Sequence, residues 1–442
     1  MNEESYDHSE ITPIGITDWR NTKQPFGIKD NDRLGHIYAI GKTGVGKSTL
    51  LENMAISDIE KGKGIALIDP HGDIAEDILH YIPKGRINDV IYFNAGDIEF
   101  PIGFNPLKAV HPNYHHLVAS GLIGTFKKIW ADSWGPRLEY ILRYSLLTLL
   151  NYPDATLLDI QPLLTDKAFR EQVLYKVTSP HIQSFWLKEF EKYSPTLKAE
   201  AIAPILNKVG LFSTSLPLRN IVGQKTRSFR MQQLLDEGKI LIANLPKGTI
   251  GEDASSLLGS MIITSIQLAA LHRAKQDAHT RKPFYLYIDE AHSFLSLSLA
   301  DILAEARKYK LSLFLTHQYI EQLHEKIRSA IFGNVGTIIS FRVGAEDAEY
   351  LVKEFSPTFN ESDLVHLPKY SMYLKLMIDG ATSKPFSAIT KATKAINNSF
   401  KQEVINTSRK KYGRSRDEVE KEFADRYENI ENKNDGQQIL LF

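Results

Sequence analysis

The chain has 442 residues, with 53 lysines and arginines balanced by 53 aspartates and glutamates, and no cysteine. This length accommodates one large or two ordinary domains, and the lack of thiols excludes disulfides, cysteine nucleophiles and thiolate metal sites. Because the formal net charge is zero, any attraction for nucleic acid must come from a local patch of the surface.

The sequence predicts a cytoplasmic protein without a membrane span. Its first residues are acidic, which is not typical of a signal peptide. The most apolar windows, Tyr140 to Leu150 and Leu257 to Leu271, are both interrupted by polar or charged side chains. Neither window therefore satisfies the requirement for an uninterrupted apolar helix across a bilayer.

The first predicted strand, His36 to Ile40, leads into the octapeptide Gly41-Lys42-Thr43-Gly44-Val45-Gly46-Lys47-Ser48. Its glycines let successive backbone N–H groups turn inward around phosphates, Lys47 can reach the β and γ oxygens, and the Ser48 hydroxyl suits Mg²⁺. A helix-forming stretch begins at Thr49, and a helix N-terminus attracts anions. The pattern predicts a phosphate-binding loop, whereas the alternative is a glycine turn that opens an ordinary helix.

Apolar, β-branched runs alternate with longer helical stretches along the rest of the chain. This alternation predicts an α/β fold with a mostly parallel, doubly wound sheet. Its further strands are predicted at Gly64 to Asp69, Asp89 to Phe93, Lys239 to Ala243, Phe284 to Asp289, Leu311 to Thr316 and Thr337 to Val343. The runs Tyr370 to Met377 and Pro385 to Thr390, with Asp379-Gly380 between them, predict an antiparallel hairpin at the sheet edge.

The segment from Leu107 to Arg230 has helical periodicity and few strand signals. It is too long for a simple crossover between strands, so we predict an inserted all-helical subdomain. Basic residues in it are interleaved with aromatic ones. Solvated helix faces around an aromatic core explain this mixture better than a DNA contact surface does.

The strand Phe284 to Ile288 ends in Asp289 and Glu290. In a sheet that carries a phosphate loop, the first carboxylate can hold Mg²⁺ through water and the second can deprotonate an attacking water. The pattern therefore indicates hydrolysis rather than phosphoryl transfer to a metabolite. The alternative is a strand that ends in two helix-capping acids. We interpret His292 as a local hydrogen-bonding residue.

The strand that begins at Leu311 ends in Thr316-His317-Gln318. Gln318 can sense a γ-phosphate or position water, and Arg307, on the helix before this strand, could supply charge to a neighbouring subunit's nucleotide. The alternative for Arg307 is an ordinary surface charge. Arg342, at the end of the Thr337 to Val343 strand, is a second arginine that could lie near an interface, although packing at the core edge explains it equally well.

Together these motifs resemble the HerA and FtsK superfamily of RecA-like ATPases. Within it, the helical insertion resembles the coupling ATPases of type IV secretion and conjugation, of the TraG/TraD type. The resemblance covers Phe26 to about Lys394. It rests on the phosphate loop, Asp69-Pro70-His71-Gly72-Asp73, Phe104-Asn105-Pro106, Ile288-Asp289-Glu290-Ala291-His292, Arg307 and Thr316-His317-Gln318.

The resemblance implies a ring, expected to be a hexamer, that hydrolyses ATP with Mg²⁺ at subunit interfaces and moves single- or double-stranded DNA. It implies catalytic roles for Lys47, Glu290, Gln318 and Arg307, nucleotide contacts from residues 41–49, and Mg²⁺ ligands at Ser48 and Asp289. The implied domains are a RecA-like ATPase domain at 26–106 and 231–394, the insertion at 107–230, an N-terminal extension at 1–25, and a charged helix with a flexible tail at 395–442.

Two features depart from this family. Coupling proteins are usually membrane-anchored, whereas no span is predicted here, and HerA has a β-barrel before its motor, whereas 40 residues precede Gly41. Two other functions therefore stay open. One is an assembly or regulatory subunit whose nucleotide state controls a partner nuclease in a defence complex, and the other is an ATPase that transports protein.

The last residues are apolar within an otherwise polar tail. Gln438, Ile439, Leu440, Leu441 and Phe442 resemble the short peptides that dock in bacterial sliding clamps. Packing of this peptide on its own subunit or on a ring neighbour is the alternative, and we favour it over clamp binding.

Overall fold

The computed structural model describes residues 10–18, 23–108, 110–296, 298–396 and 398–425, without the side chains of 297–301. The chain divides into two compact units. The first contains the residues up to Phe93 together with Met231–Leu245 and Ala269–Ser408, and the second contains Asn94–Arg230, Pro246–Leu268 and the residues from Arg409 onward. The segments 246–268 and 409–425 thus cluster with the helical unit, whereas the sequence places the first of them in the ATPase domain.

The main sheet of the described residues has eleven strands in the order β2-β1-β13-β10-β9-β3-β8-β7-β4-β6-β5. Its central strands, from β9 to β6, pair in parallel, which confirms the predicted mostly parallel sheet. The strands are β1 (Ile11–Thr17), β2 (Pro25–Lys29), β3 (Ile37–Ile40), β4 (Gly64–Asp69), β5 (Val90–Asn94), β6 (Ile240–Asn244), β7 (Phe284–Ile288), β8 (Leu311–His317), β9 (Thr337–Ser340), β10 (Ser371–Lys375), β11 (Met377–Ile378), β12 (Ala381–Thr382) and β13 (Phe386–Thr390).

The α-helices connect these strands and form most of the second unit. They are α1 (Asp30–Arg33), α2 (Lys47–Glu60), α3 (Asp73–Ile78), α4 (His115–Ile129), α5 (Pro136–Leu150), α6 (Ile160–Thr165), α7 (Lys167–Leu174), α8 (Pro180–Ser184), α9 (Pro195–Thr214), α10 (Leu216–Val222), α11 (Met231–Glu237), α12 (Lys247–Ile250), α13 (Glu252–His272), α14 (Ser298–Glu305), α15 (Glu325–Asn334), α16 (Ala345–Phe355), α17 (Glu361–Val365) and α18 (Lys401–Tyr412). A further helix covers 416–425.

The central strands are apolar because both faces of the sheet are covered. Every residue of β3, β7 and β8 is buried, and strands of this kind appear in a sequence as continuous apolar runs rather than as alternating patterns. Since β3, β8 and β7 are adjacent and parallel, their carboxyl ends lie at one edge of the sheet. That edge is where a doubly wound sheet places its ligands.

The predicted antiparallel hairpin is present as β10 and β13, which pair from Ser371 with Ile389 to Leu374 with Phe386. The sheet continues beyond this hairpin, because β1 pairs with β13 and β2 pairs with β1. The residues that the sequence assigns to an N-terminal extension therefore include β1, an integral strand of the sheet.

A buried ion pair lies close to β7 in the first unit. Arg33 Nη1 is 2.7 Å from Asp58 Oδ1, and both side chains are almost fully buried. The Tyr287 hydroxyl donates to Asp58 Oδ2 at 2.5 Å and accepts from Arg33 Nη2 at 2.8 Å. Burial by itself would raise the pKa of Asp58, but the Arg33 guanidinium holds it below its usual value. The network connects α1, α2 and β7, which carry or flank the site described below.

The second unit is helical where the insertion is predicted, and the described residues from 107 to 230 contain no strand. Its core is aromatic: Trp186, Phe190, Phe126 and Phe212 are fully buried. The Trp186 indole N–H donates to the Thr148 hydroxyl at 2.8 Å, which satisfies the polar end of a buried ring.

The described part of the C-terminal segment, for which the sequence predicts a charged helix with a flexible tail, is packed against the rest of the protein. Val404 of α18 belongs to the core of the first unit, and the Ser408 hydroxyl accepts the backbone N–H of Tyr92 at 2.9 Å. Val419 and Phe423 are buried as well. The terminal peptide, Gln438 to Phe442, lies outside the described residues, so both clamp binding and the favoured packing on its own subunit or a ring neighbour stay predictions.

One helical segment in the described part of the chain, Glu252–Lys275, is long and apolar enough to cross a membrane by composition. Its apolar window is 72% buried inside the protein. Core helices of globular proteins pass the same test, so this segment does not alter the interpretation of the sequence.

Candidate nucleotide-binding site

The loop between β3 and α2 has the backbone that a phosphate cradle requires. Gly44 and Gly46 have positive φ angles of 75° and 121°, a region that glycine adopts without steric cost. The Lys47 ammonium donates to the carbonyl oxygens of Gly41 at 2.6 Å and Lys42 at 2.9 Å. The lysine therefore lies across the loop, close to where phosphate oxygens would enter.

Two neighbouring strands fix the start of the loop. The Gly41 N–H donates to the carbonyl of His317, at the end of β8, and the Lys42 N–H donates to the carbonyl of Arg342, just after β9. A Cβ added to Gly41 would lie 2.7 Å from the Cβ of Phe341. Only glycine therefore fits between the loop and the chain that leaves β9.

The loop exposes the groups that a nucleotide must reach. Lys42, Thr43, Gly44 and Ser48 are exposed, whereas Lys47 is buried. Burial lowers the pKa of Lys47, and the nearby carboxylates Glu290 and Asp289 oppose that shift. The Ser48 hydroxyl is open to solvent at the first turn of α2, as a Mg²⁺ ligand requires.

Asp289 follows β7 and is held from the adjacent strand. Its backbone N–H donates to the carbonyl of Ile68 in β4, and its Oδ1 accepts the Thr316 hydroxyl of β8. Burial raises the pKa of Asp289, the Thr316 hydrogen bond lowers it, and the neighbouring Glu290 raises it further. A bound cation would favour the ionised carboxylate of Asp289 and would therefore counteract the upward shift of its pKa.

Glu290 adopts a left-handed backbone conformation, with φ 45°. Its N–H donates to the Thr316 hydroxyl at 3.2 Å, and its Oε1 accepts the Gln318 side-chain amide at 2.5 Å. The other oxygen, Oε2, accepts no hydrogen bond from the described residues; His292 Nδ1 lies 3.4 Å away, outside hydrogen-bond geometry. Glu290 thus has one oxygen held by Gln318 and one buried oxygen whose acceptor capacity is unused, and such an oxygen is suited to accept a proton from a bound water.

His317 is buried beneath this part of the site. Its Nδ1 lies 3.2 Å from the Tyr38 hydroxyl of β3. Burial lowers the pKa of His317 to about 3, so the imidazole is neutral at pH 7. It therefore adds no positive charge beside Lys47.

The turn after β4 is built around Asp69. One carboxylate oxygen accepts the N–H of His71 at 2.8 Å and the other accepts that of Ala75 at 2.9 Å. Burial raises the pKa of Asp69, and these backbone donors oppose the shift. His71 and Asp73 point to solvent. Asp69 is the structural residue of this motif, as expected for a turn formed by Pro70 and Gly72.

The two arginines lie at opposite edges of the sheet. Arg307 is exposed in a short turn that precedes β8, at the amino end of that strand and away from its own phosphate loop. Arg342 is also exposed, but it follows β9 at the edge where the loop lies. Arg307 does not join the site of its own chain, and its proposed action in a neighbouring subunit stays a prediction.

The structure brings together Lys47, Asp289, Glu290 and Gln318 as the sequence predicts. It gives a role to Thr316, which the sequence analysis named only as part of a motif and which holds both acids, and it adds Tyr370, whose N–H donates to the loop carbonyl of Val45 at 2.8 Å. Their positions depend on strand pairing, although the polar Thr316 at the end of an apolar strand is a signal that could have been used.

The described residues contain no group of three or more histidine, aspartate or glutamate side chains suited to a metal ion. This finding fits Mg²⁺, which keeps several waters and takes only one or two protein ligands beside phosphate oxygens. Ser48 and Asp289 are the residues that would hold it.

Residues 283–364 match the family model described as the TraM recognition site of TraD and TraG. This segment contains both acids, Gln318 and the two arginines discussed above. Over these residues the chain is similar to TraD and TraG. No curated protein matches the sequence significantly.

Several solved structures share the fold of this chain. The coupling protein TrwBdeltaN70 is 15% identical, and the match covers 84% of this chain and 87% of that one with a TM-score of 0.59. TrwB in complex with ADP and Mg²⁺ is 15% identical over 87% and 91% of the two chains, with a TM-score of 0.59. VirB4 of Thermoanaerobacter pseudethanolicus is 15% identical over 86% and 96%, with a TM-score of 0.58.

These matches confirm the predicted fold. TrwB has also been solved with a non-hydrolysable ATP analogue.

Proposed function

We propose that this protein is an ATP-hydrolysing ring motor, expected to be a cytoplasmic hexamer, that moves DNA. The observation that carries the proposal is the carboxylate of Glu290, of which one oxygen accepts the Gln318 amide and the other is buried without a hydrogen-bond partner. The acid lies in the same buried site as Lys47 and Asp289. This arrangement is suited to activating water rather than to binding a nucleotide without turnover.

Each side chain has a defined task in this reaction. The loop backbone and Lys47 hold the phosphates, while Ser48 and Asp289 position Mg²⁺, which neutralises charge on the phosphate oxygens. Glu290 accepts a proton from the attacking water as the new bond to the γ-phosphorus forms and the bond to the ADP oxygen breaks. Gln318 keeps the Glu290 carboxylate in place.

Movement of DNA is supported by the fold rather than by the surface charge. The matched neighbours are described as conjugative or plasmid coupling proteins, and the chain covers most of their length. Since the net charge is zero, DNA affinity has to come from local basic groups that a ring would bring together.

Hydrolysis by the purified full chain should be measured with no nucleic acid, with single-stranded DNA and with duplex DNA. We expect the rate to rise with at least one form of DNA and to disappear in Lys47→Ala. Rates that are equal under all three conditions would contradict the motor and favour a nucleotide-controlled regulatory subunit. Size measurement with ATP and Mg²⁺ tests the ring.

The trans-acting arginine can be tested by mixing two inactive variants. Arg307→Ala lacks the arginine proposed to act in trans but keeps the Glu290 carboxylate, whereas Glu290→Gln lacks that carboxylate but keeps Arg307. If Arg307 acts across an interface, mixed rings contain some sites with both groups and recover part of the activity. Arg342→Ala, mixed in the same way, is the matched comparison. Recovery with Arg342→Ala but not with Arg307→Ala would assign the role to Arg342.

A further inference from the structure

Tyr370 immediately precedes β10, and its ring lies against the phosphate loop. Because β10 is antiparallel to β9, the start of β10 lies at the edge of the sheet where β9 ends and the loop begins. A Cβ on Gly46 would lie 3.0 Å from Cδ1 of the ring, yet Tyr370 remains 40% exposed. An accessible aromatic ring therefore stands directly beside the loop.

The backbone of Tyr370 fixes this ring relative to the loop. Its N–H donates to the carbonyl of Val45 at 2.8 Å, and its carbonyl accepts the N–H of Thr390 at 2.8 Å. Its φ of 67° lies in the left-handed region, which glycine or asparagine adopts more readily than a bulky residue. The turn therefore does not explain the tyrosine, whereas a task for the ring does.

We propose that Tyr370 is the platform on which the nucleobase stacks when the phosphates lie in the loop, an inference that rests on the proposed nucleotide-hydrolysing function. Aromatic side chains bind bases through their π faces, and this recognition tolerates any base. The ring thus selects a nucleoside triphosphate over a bare triphosphate, without selecting one purine over another.

The neighbouring Lys369 does not block this role. Its ammonium lies 4.9 Å from the centroid of the Tyr370 ring, and the lysine is exposed. A cation over a ring is held weakly at such a site. A stacked base can therefore displace it.

The test compares ATP with inorganic triphosphate, which lacks a base, by calorimetry on the full chain. Tyr370→Asn and Tyr370→Gly keep the left-handed backbone and remove the ring, whereas Tyr370→Phe keeps the ring. We expect ATP to bind roughly 5- to 150-fold more weakly to the Asn and Gly variants and normally to the Phe variant. Triphosphate should bind equally to all of them. Tyr175→Asn, at a residue that is 86% exposed, is the matched control.

An unchanged ATP affinity in Tyr370→Asn and Tyr370→Gly would overturn the proposal. Equal losses for ATP and triphosphate would also overturn it, because they would show that the ring only supports the loop. Wild-type protein that fails to bind ATP overturns both the stacking role and the motor. If ATP binds with a Tyr370-dependent affinity but is not hydrolysed, only the motor is refuted.

Discussion

Replacing Glu290 by glutamine should stop hydrolysis and leave nucleotide binding intact. The side chain is 6% exposed, and its Oε1 accepts the Gln318 amide at 2.5 Å. A glutamine oxygen can accept the same hydrogen bond, so the new side chain fits the old position. What disappears is the ability to take a proton from water.

The expected loss follows from the role of a positioned base. General base catalysis typically contributes about 10²- to 10⁴-fold, which corresponds to roughly 3–5 kcal/mol in the activation free energy. The hydrogen bond from Gln318 weakens to about half when its acceptor loses its charge. Glutamine carries no charge, so the variant does not bear the cost of burying a carboxylate, and this gain offsets the weaker hydrogen bond. The free energy of unfolding should therefore change by less than about 1 kcal/mol.

The assay is phosphate release at saturating ATP, together with ATP binding by calorimetry and thermal unfolding. Glu361→Gln is the matched control, since it makes the same change at an exposed residue of α17. We expect kcat to fall in Glu290→Gln alone, with ATP affinity close to that of wild type. A kcat within threefold of wild type in a folded Glu290→Gln variant would refute the assignment of the base.

Three further predictions concern Gln318, the buried ion pair and the buried histidines. Gln318→Ala should lower kcat by about 10- to 150-fold with little change in ATP affinity, because Glu290 loses a hydrogen bond to its charged oxygen; a parallel loss of affinity would contradict this role. Arg33→Met should reduce the free energy of unfolding by about 3–5 kcal/mol at pH 7, because it leaves the Asp58 carboxylate buried without its partner. Measured by denaturant unfolding, the difference in unfolding free energy between wild type and Arg33→Met should become smaller as the pH falls towards 4, because the unpaired Asp58 carboxyl of the variant can take up a proton. A difference that does not change with pH would contradict the reasoning. Burial lowers the pKa of His36 to about 4 and that of His317 to about 3, so the unfolded chain binds more protons below about pH 6.5. Each histidine therefore makes its full contribution to the free energy of unfolding above about pH 6.5, and this contribution is lost as the pH falls towards the folded pKa, by up to about 1.4 kcal/mol per pH unit. In His36→Gln the free energy of unfolding should fall less steeply with decreasing pH.

The central sheet and the acids at its edge could be predicted because they depend on local sequence. The strand Phe284 to Ile288 is buried on both faces, so its apolar run is continuous and ends at the two carboxylates. Strand β1 could not be predicted for the opposite reason. It contains Pro13 and Gly15, which are unfavourable within strands, and it pairs with β13, far away in sequence.

The prediction for β9 shows how burial alone misplaces a strand end. The apolar residues Phe341 and Val343 extend the expected strand, whereas the strand ends at Ser340. Both residues are fully buried, but the chain between them has left the ladder, and the carbonyl of Arg342 accepts the N–H of Lys42. An apolar pattern in the sequence indicates which residues are buried, but it does not indicate which backbone groups form hydrogen bonds with a neighbouring strand.

The roles within the site depend on three consecutive residues, the last two of β8 and the one that follows it. Thr316 holds Asp289, the His317 carbonyl accepts the N–H of Gly41, and Gln318 holds Glu290. The sequence identified Gln318 as a polar residue near the nucleotide, but only the pairing of β8 between β3 and β7 shows that it contacts the base.

This arrangement makes β8 the common support of the site. A strand that is buried along its whole length moves as a unit with its neighbours, so a displacement along β8 would alter the metal ligand, the loop and the base together. The amino end of the same strand begins just after the turn that contains Arg307. The buried His36 accepts the Leu313 N–H of β8, and its other ring nitrogen contacts the Leu303 carbonyl of α14. The exposed arginine and the hydrolytic residues are therefore joined by one rigid element, and the mixed-variant experiment tests the two ends of that element separately.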